Sequence, residues 1–138
     1  DVSNEARVSD QVWFEVNYLR LGILTCLGSI ASHVEMHYKS CDGLVLEANH
    51  DSLMLASGAY PASLKERVGG PWGHLNNRQA AEFLTRVDRS KLKQLVVAHI
   101  SHQNNTLALA QAAFAHISAP IDNVYYACQD EGFDWISL

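Results

Sequence analysis

Leu95 to Ile117 reads LVVAHISHQNNTLALAQAAFAHI, and this stretch decides the fold. It opens on LVVA, a short, wholly apolar run that reads as a buried strand. It turns polar through HISHQNN. It then enters an Ala- and Leu-rich run that starts at Asn105 or Thr106, both good caps, and reads as the best helix of the chain, to about Ile117. A buried strand that delivers the chain through a polar loop into a helix is the repeating unit of a layered α/β domain.

The same unit recurs outward from this stretch. Leu44 to Glu47 (LVLE) is a short apolar strand, followed by helical pieces at Asp51 to Ala56 and Ser63 to Val68. Asn76 or Asn77 caps a helix running to about Val87, with Ala80, Ala81, Leu84 and Val87 inward. Gln11 to Val16 and Leu19 to Thr25 flank Asn17-Tyr18 and predict a hairpin. Ser29 to Lys39 reads as a helix, with Ile30, Val34 and either Met36 or Tyr38 on one face. Val124 to Cys128 is a last strand. Ser57 to Gly73 holds four of the eight glycines and two of the three prolines, which makes it the most loop-like region.

The whole chain has 138 residues, enough for a single domain. Its 48% apolar and 18% charged residues are a globular composition. No run approaches the roughly 18 apolar residues of a membrane-spanning helix, and DVSNEARVSDQ shows no secretory signal. Ten Lys and Arg against 15 Asp and Glu give a net charge of −5. That excludes a broad basic footprint for coating nucleic acid, while leaving room for a local phosphate site. Cys26, Cys41 and Cys128 are scattered and form no CxxC, which predicts a reducing, cytoplasmic compartment.

In α/β folds chemistry collects at strand ends. Cys26 follows LGILT; Asn49, His50 and Asp51 follow LVLE; His99, Ser101 and His102 follow LVVA; His74 lies on the loop before a helix. Adjacent strands would bring these side chains to one rim.

Three segments carry a family resemblance: LEANHDSLML from Leu46, YPASLKERVGGPWGHLNNRQAA from Tyr60 and VVAHISHQNNTLALA from Val96. They resemble the C-terminal half of metallo-β-lactamase-fold hydrolases, in particular the YycJ/WalJ-type group, similar in layout to tRNase Z. There the stretches read roughly ESNHD, YPxSLKxRI…GHLSNxxAA and AHLSxxNNTPxLA. The ending DEGFDW is also similar. The resemblance implies an α/β chain forming half of an αββα sandwich: a mixed sheet with helices on one face. It implies one or two ions, commonly zinc or manganese, and attack of water on a phosphodiester or ester. His99 falls at the family's last metal-binding His. His74 matches a position that aids phosphate or proton transfer in the tRNase Z-like members. His50 and Asp51 match the NHD motif lining the same rim, so His74, His50 and Asp51 are the candidate catalytic residues. Asn104 and Asn105 match a turn, for which a structural cap is the expected role.

The departures bear on activity. The family signature HxHxDH is absent. VSNEAR stands where the family has PHDAR, placing Asn4 at a ligand His, and LTCLGS stands where it has LTDLGS, placing Cys26 at a bridging Asp. Cys26 remains a candidate metal ligand beside His99, since thiolate binds zinc well. Two donors fall short of the three protein ligands a catalytic zinc uses. The expectation is zinc or manganese at His99 and Cys26, if any cofactor, or none in the isolated chain.

Other residues read more plainly. His33 and His37 are exposed helix polarity, because HVEMH lacks the zincin order. His102 and His116 have no motif support. Trp13, Trp72 and Trp135 are expected to pack rather than stack on bases, since no basic residues interleave them.

Half a sandwich would leave one sheet face bare. Val12, Phe14, Leu44, Leu46, Val96 and Ala98 are candidates for that face or the helix-facing one, and alternation does not assign them. A homodimer, or a missing N-terminal half, is the expected cover. Nucleic acid is an admissible partner without support from charge, and a membrane is not expected. Three functions compete: a metal-dependent, nuclease-like phosphodiesterase present as its C-terminal half; a non-catalytic homodimeric interaction module; and thiol chemistry at Cys26 with His99 or His74 as base.

Overall fold

The computed structural model describes residues 10–138, so Asn4 lies outside the described residues. The elements run β1 (Asp10–Val16), β2 (Leu19–Thr25), α1 (Ser32–His37), β3 (Gly43–Glu47), α2 (Ser52–Ser57), α3 (Ala62–Gly69), α4 (Asn77–Arg86), β4 (Gln94–Ala98), α5 (Leu107–Phe114) and β5 (Asn123–Tyr126). The five strands form one mixed sheet in sequence order. β1 is antiparallel to β2, and every later neighbour is parallel. The expected hairpin turns on Asn17 and Tyr18, both at positive φ (52° and 69°). That is the paired left-handed geometry whose twist matches a two-residue hairpin.

Register separates the two faces. Leu44 and Leu95 share one row across β3 and β4, and Leu24, Leu46 and Val97 share another. All five are buried in one cluster with Val34 of α1, Tyr38 at its end, Ala80, Phe83 and Leu84 of α4, and Ala110 and Phe114 of α5. The helices therefore cover this face. Leu44 and Leu46, left unassigned by alternation, belong to it.

The other face carries Leu21, Gly43, Val45, Gln94 and Val96, and the C-terminal segment 133–138 crosses it. Gly43 lets the Leu138 side chain lie flat on the strand, since a Cβ there would stand 2.3 Å from Leu138 Cδ2. Gln94 Nε2 donates to the Ser137 carbonyl at 3.0 Å. Between segment and sheet lies a cavity of about 470 Å³. Val96 sits there, 5% exposed. Val12 and Phe14 share the face through their partners Ile23 and Leu21, and Ala98 through Glu47. The face expected to be bare is thus partly roofed by the chain itself.

Two helices are shorter than the sequence predicts. α1 starts at Ser32 because residues 28 and 29 are held elsewhere: Ser29 Oγ donates to the Pro71 carbonyl, and Gly28 abuts the backbone of Gly70 to Gly73. α5 ends at Phe114, whose carbonyl accepts from the N–H groups of both Ile117 and Ser118 and from Ser118 Oγ. Among the described residues no helix is long and apolar enough to cross a membrane.

Candidate metal centre

Parallel pairing puts the ends of β2, β3 and β4 at one edge of the sheet. Cys26 is the residue after β2, Glu47 the last of β3 and His99 the residue after β4, while His74 enters from the loop before α4. One ligand-capable atom of each of these four side chains lies within 4.8 Å of the others. Cys26 and His99 both sit at positive φ, 54° and 58°. Each such non-glycine residue costs on the order of 1–3 kcal/mol and persists only where its surroundings hold it there.

Glu47 organises the cluster. Its side chain is fully buried. Oε1 accepts from Nδ1 of His74 at 2.8 Å and from Nδ1 of His99, and Oε2 accepts from the Leu27 and Leu75 N–H groups at 3.3 and 3.2 Å. Burial alone would raise its pKa; the hydrogen bonds and charges of His74 and His99 overcome this and lower it to about 2. Glu47 is therefore an anion at neutral pH, and both Nδ1 atoms carry the shared protons. The Nε2 atom of each ring is left for another partner. The rings meet edge-on, with centroids 4.9 Å apart. The hydrogen bond to Glu47 makes His99 more basic than an ordinary histidine, against the opposing effect of burial.

A buried amide network fixes the loops behind the cluster. Asn77 and Asn105 exchange reciprocal side-chain hydrogen bonds at 2.9 and 2.8 Å. Asn105 Nδ2 also donates to the Ala48 and Asn49 carbonyls, and its Oδ1 accepts from the Thr106 N–H. Asn49 Nδ2 donates to the His99 carbonyl at 3.0 Å. The loops after β3 and β4 and the start of α4 are thereby one unit, and the expected structural role of Asn105 is the one observed.

Of the candidate residues, Cys26, His74 and His99 come together. His50 and Asp51 do not join them. Asp51 Oδ1 accepts from the Leu53 and Met54 N–H groups and caps α2. His50 is 2% exposed with Nδ1 unpartnered, and burial holds its pKa down. Its carbonyl accepts from the Asn77 N–H, so its backbone joins the frame behind the site. Glu47 is the residue that sequence reasoning missed. The available signal was a carboxylate closing an otherwise apolar strand at a rim position. His33 and His37 are exposed on α1 as expected, and His102 faces Asp130 at 3.6 Å, outside the cluster.

The tryptophan expectation needs correction. Trp72 is 79% exposed and Trp135 fully exposed, so neither packs in the core, while Trp13 lies under the Arg20 guanidinium.

One thiol and two imidazoles are zinc-ligand types, and Cys26, His74 and His99 meet a count of three that Cys26 and His99 alone do not, with Glu47 holding both rings from behind. His74 thus adds a third donor to the two that the sequence offered. The residues fit a divalent ion.

No family model matches the chain. It is 33% identical over 100 residues to "Exodeoxyribonuclease WalJ" of Streptococcus pneumoniae serotype 2, covering 72% of this chain and 37% of that protein. It is 31% identical over 116 residues to "Exodeoxyribonuclease YycJ" of Bacillus anthracis, covering 84% of this chain and 44% of that protein. The chain thus spans less than half the length of these relatives. Among solved structures it is similar to the metallo-β-lactamase fold protein YhfI of Bacillus subtilis, with TM-score 0.56 at 14% identity, over 91% of this chain and 42% of that one. The four-residue cluster is the candidate seat of a divalent ion. By fold and by its relatives, this chain belongs to the metallo-β-lactamase-fold family, alongside the WalJ/YycJ-type proteins.

Proposed function

We propose that this chain is the C-terminal half of a metal-dependent phosphodiesterase acting on nucleic acid, and that its four-residue cluster holds one zinc or manganese ion, with Cys26, His74 and His99 as ligands and Glu47 orienting both rings. The observation carrying this is the convergence of those four side chains at the sheet edge, two of them on strained backbone. A divalent ion there would supply Lewis acidity toward a phosphoryl oxygen and acidify water. Glu47 fixes the protons on both Nδ1 atoms and so sets which nitrogen each ring presents. His74, expected from the sequence to be catalytic, serves in this reading as a ligand through Nε2, with Nδ1 held by Glu47. His50 and Asp51 take positioning roles in this reading.

The sheet face beside the C-terminal segment is offered to the rest of a two-halved fold. The greater length of the relatives supports an upstream half as its cover. The isolated chain is then a metal-binding half that turns over no phosphodiester until the face is covered. Cys26, Cys41 and Cys128 form no disulfide among the described residues, which supports a reducing, cytoplasmic setting.

A second reading, a non-catalytic homodimeric module, draws on one observation: Glu47, His74 and His99 already satisfy one another through hydrogen bonds. Elemental analysis of purified protein combined with sedimentation equilibrium separates the two. About one transition metal per chain supports the hydrolase. A metal-free dimer that takes up no added zinc or manganese overturns it.

A further inference from the structure

We infer that the open side of the cluster is a nucleotide subsite in which Trp72 stacks on an unpaired base and Arg67 takes the adjoining phosphate. The inference rests on the phosphodiesterase reading and names the form of its ligand, a single-stranded nucleic acid end. A cavity of about 260 Å³ opens beside the cluster, lined by Cys26 and His74 on one side and by Leu64, Arg67, Val68, Trp72 and Gly73 on the other. The indole and the guanidinium thus share one recess with two of the four cluster side chains.

Both side chains are unemployed within the fold. Trp72 is 79% exposed. Arg67 is exposed and has no hydrogen bond or ion pair among the described residues. The other described arginines are all engaged: Arg20 with the His37 and Lys39 carbonyls, Arg78 with Glu82, Arg86 with Glu35 and Arg89 with the Ile117 carbonyl. A free guanidinium suits the paired oxygens of a phosphate. A bare indole offers a face to any base, but only to one outside a duplex.

The loop bearing Trp72 is clamped. A Cβ on Gly28 would stand 2.3 Å from the Gly70 carbonyl oxygen and 2.5 Å from the Gly73 nitrogen, so only glycine lets these backbones touch. The Gly73 N–H donates to the Gly70 carbonyl at 3.0 Å, and the His74 N–H to the Val68 carbonyl at 2.9 Å. The indole therefore stands on a fixed base two residues from His74. Sequence alone argued against stacking because no basic residues interleave the tryptophans. The fold supplies the cation by returning the chain from α3 across the mouth of the cluster.

The test is binding of a labelled oligothymidylate of about eight nucleotides, followed by anisotropy and tryptophan quenching in EDTA, where no strand is cut. The expected result is binding with indole quenching. Trp72→Ala should remove the quench and weaken binding about 10-fold, and Trp72→Phe should restore most of the affinity. Arg67→Gln should weaken binding and reduce the slope of log affinity against log salt by about 1. An abasic strand should bind the parent and Trp72→Ala equally. No binding, a quench that survives Trp72→Ala, or equal affinity of the parent for base-bearing and abasic strands each overturns the inference. Metal content is read separately. A protein that takes up no added zinc or manganese but whose Trp72 still stacks sinks the hydrolase reading alone, and a metal-loaded protein without stacking sinks the subsite alone.

Discussion

Glu47 holds a full negative charge where no water reaches it, and that sets the acid-base behaviour of the metal-free chain. Its pKa falls from an ordinary 4.5 to about 2, so its contribution to stability is complete above about pH 4.5 and is lost as pH falls toward 2. His99 moves the other way. Its pKa is raised above 6.5, so its contribution is complete below that value and is lost as pH rises through the folded pKa. Thermal denaturation in EDTA should therefore show stability falling as pH drops from about 4.5 toward 2, while His50, whose pKa burial lowers, opposes His99 below 6.5; a flat curve below pH 4.5 would contradict the Glu47 assignment. Glu47→Gln keeps the shape and removes the charge. It should cost about 1.5–3 kcal/mol by chemical denaturation and weaken zinc affinity roughly 10–100-fold in a competition titration. Cys26 and His99 were legible in the sequence because each follows a recognisable strand, and His74 because it lies on the loop before a helix in a stretch that carries the family resemblance. Glu47 was not, because the last residue of LVLE reads equally well as the polar end of a strand. Asp51 could have been read as what it is, a cap ahead of SLML.

At the scale of elements, turn chemistry and the amide network decide what the sequence specifies well and badly. The β1–β2 turn wants positive φ at both central residues. Asn17 tolerates that, whereas Tyr18 at φ 69° pays a steric cost and is 93% exposed. Tyr18→Gly should stabilise the chain by about 1 kcal/mol, seen as a raised Tm; an unchanged or lower Tm would contradict the turn geometry. Asn105→Ala removes the amide that ties α5 to the loops after β3 and to α4, leaving the Ala48 and Asn49 carbonyls and Asn77 short of partners. A loss of about 3 kcal/mol is expected, with faster hydrogen exchange at residues 48–51 as the local sign. Strand positions were legible from their apolar runs, and the Asn76 and Thr106 caps from their residue types. The ends of α1 and α5 were not, because long-range backbone contacts decide them.

The whole molecule is a one-sided sheet with a partial roof. Nothing in DEGFDWISL has the periodicity that would announce its course, so the crossing of segment 133–138 was not legible. What lets Leu138 lie flat there is the missing side chain at Gly43, a residue that reads only as the start of a strand. Gly43→Val should push Leu138 off the sheet, since the first atom added would meet it at 2.3 Å. Limited proteolysis should then clip the C-terminus sooner while the helix-facing core stays protected. Equal clipping in parent and variant would mean that the roof does not depend on this contact.

The backbone contact at Gly28 couples two loops that carry different chemistry, a nucleophilic sulfur on one and an aromatic plate on the other. A ligand that fills the recess lies between the two. The rate at which iodoacetamide modifies Cys26 should therefore report occupancy of the recess, giving a chemical gauge of ligand entry that needs no turnover.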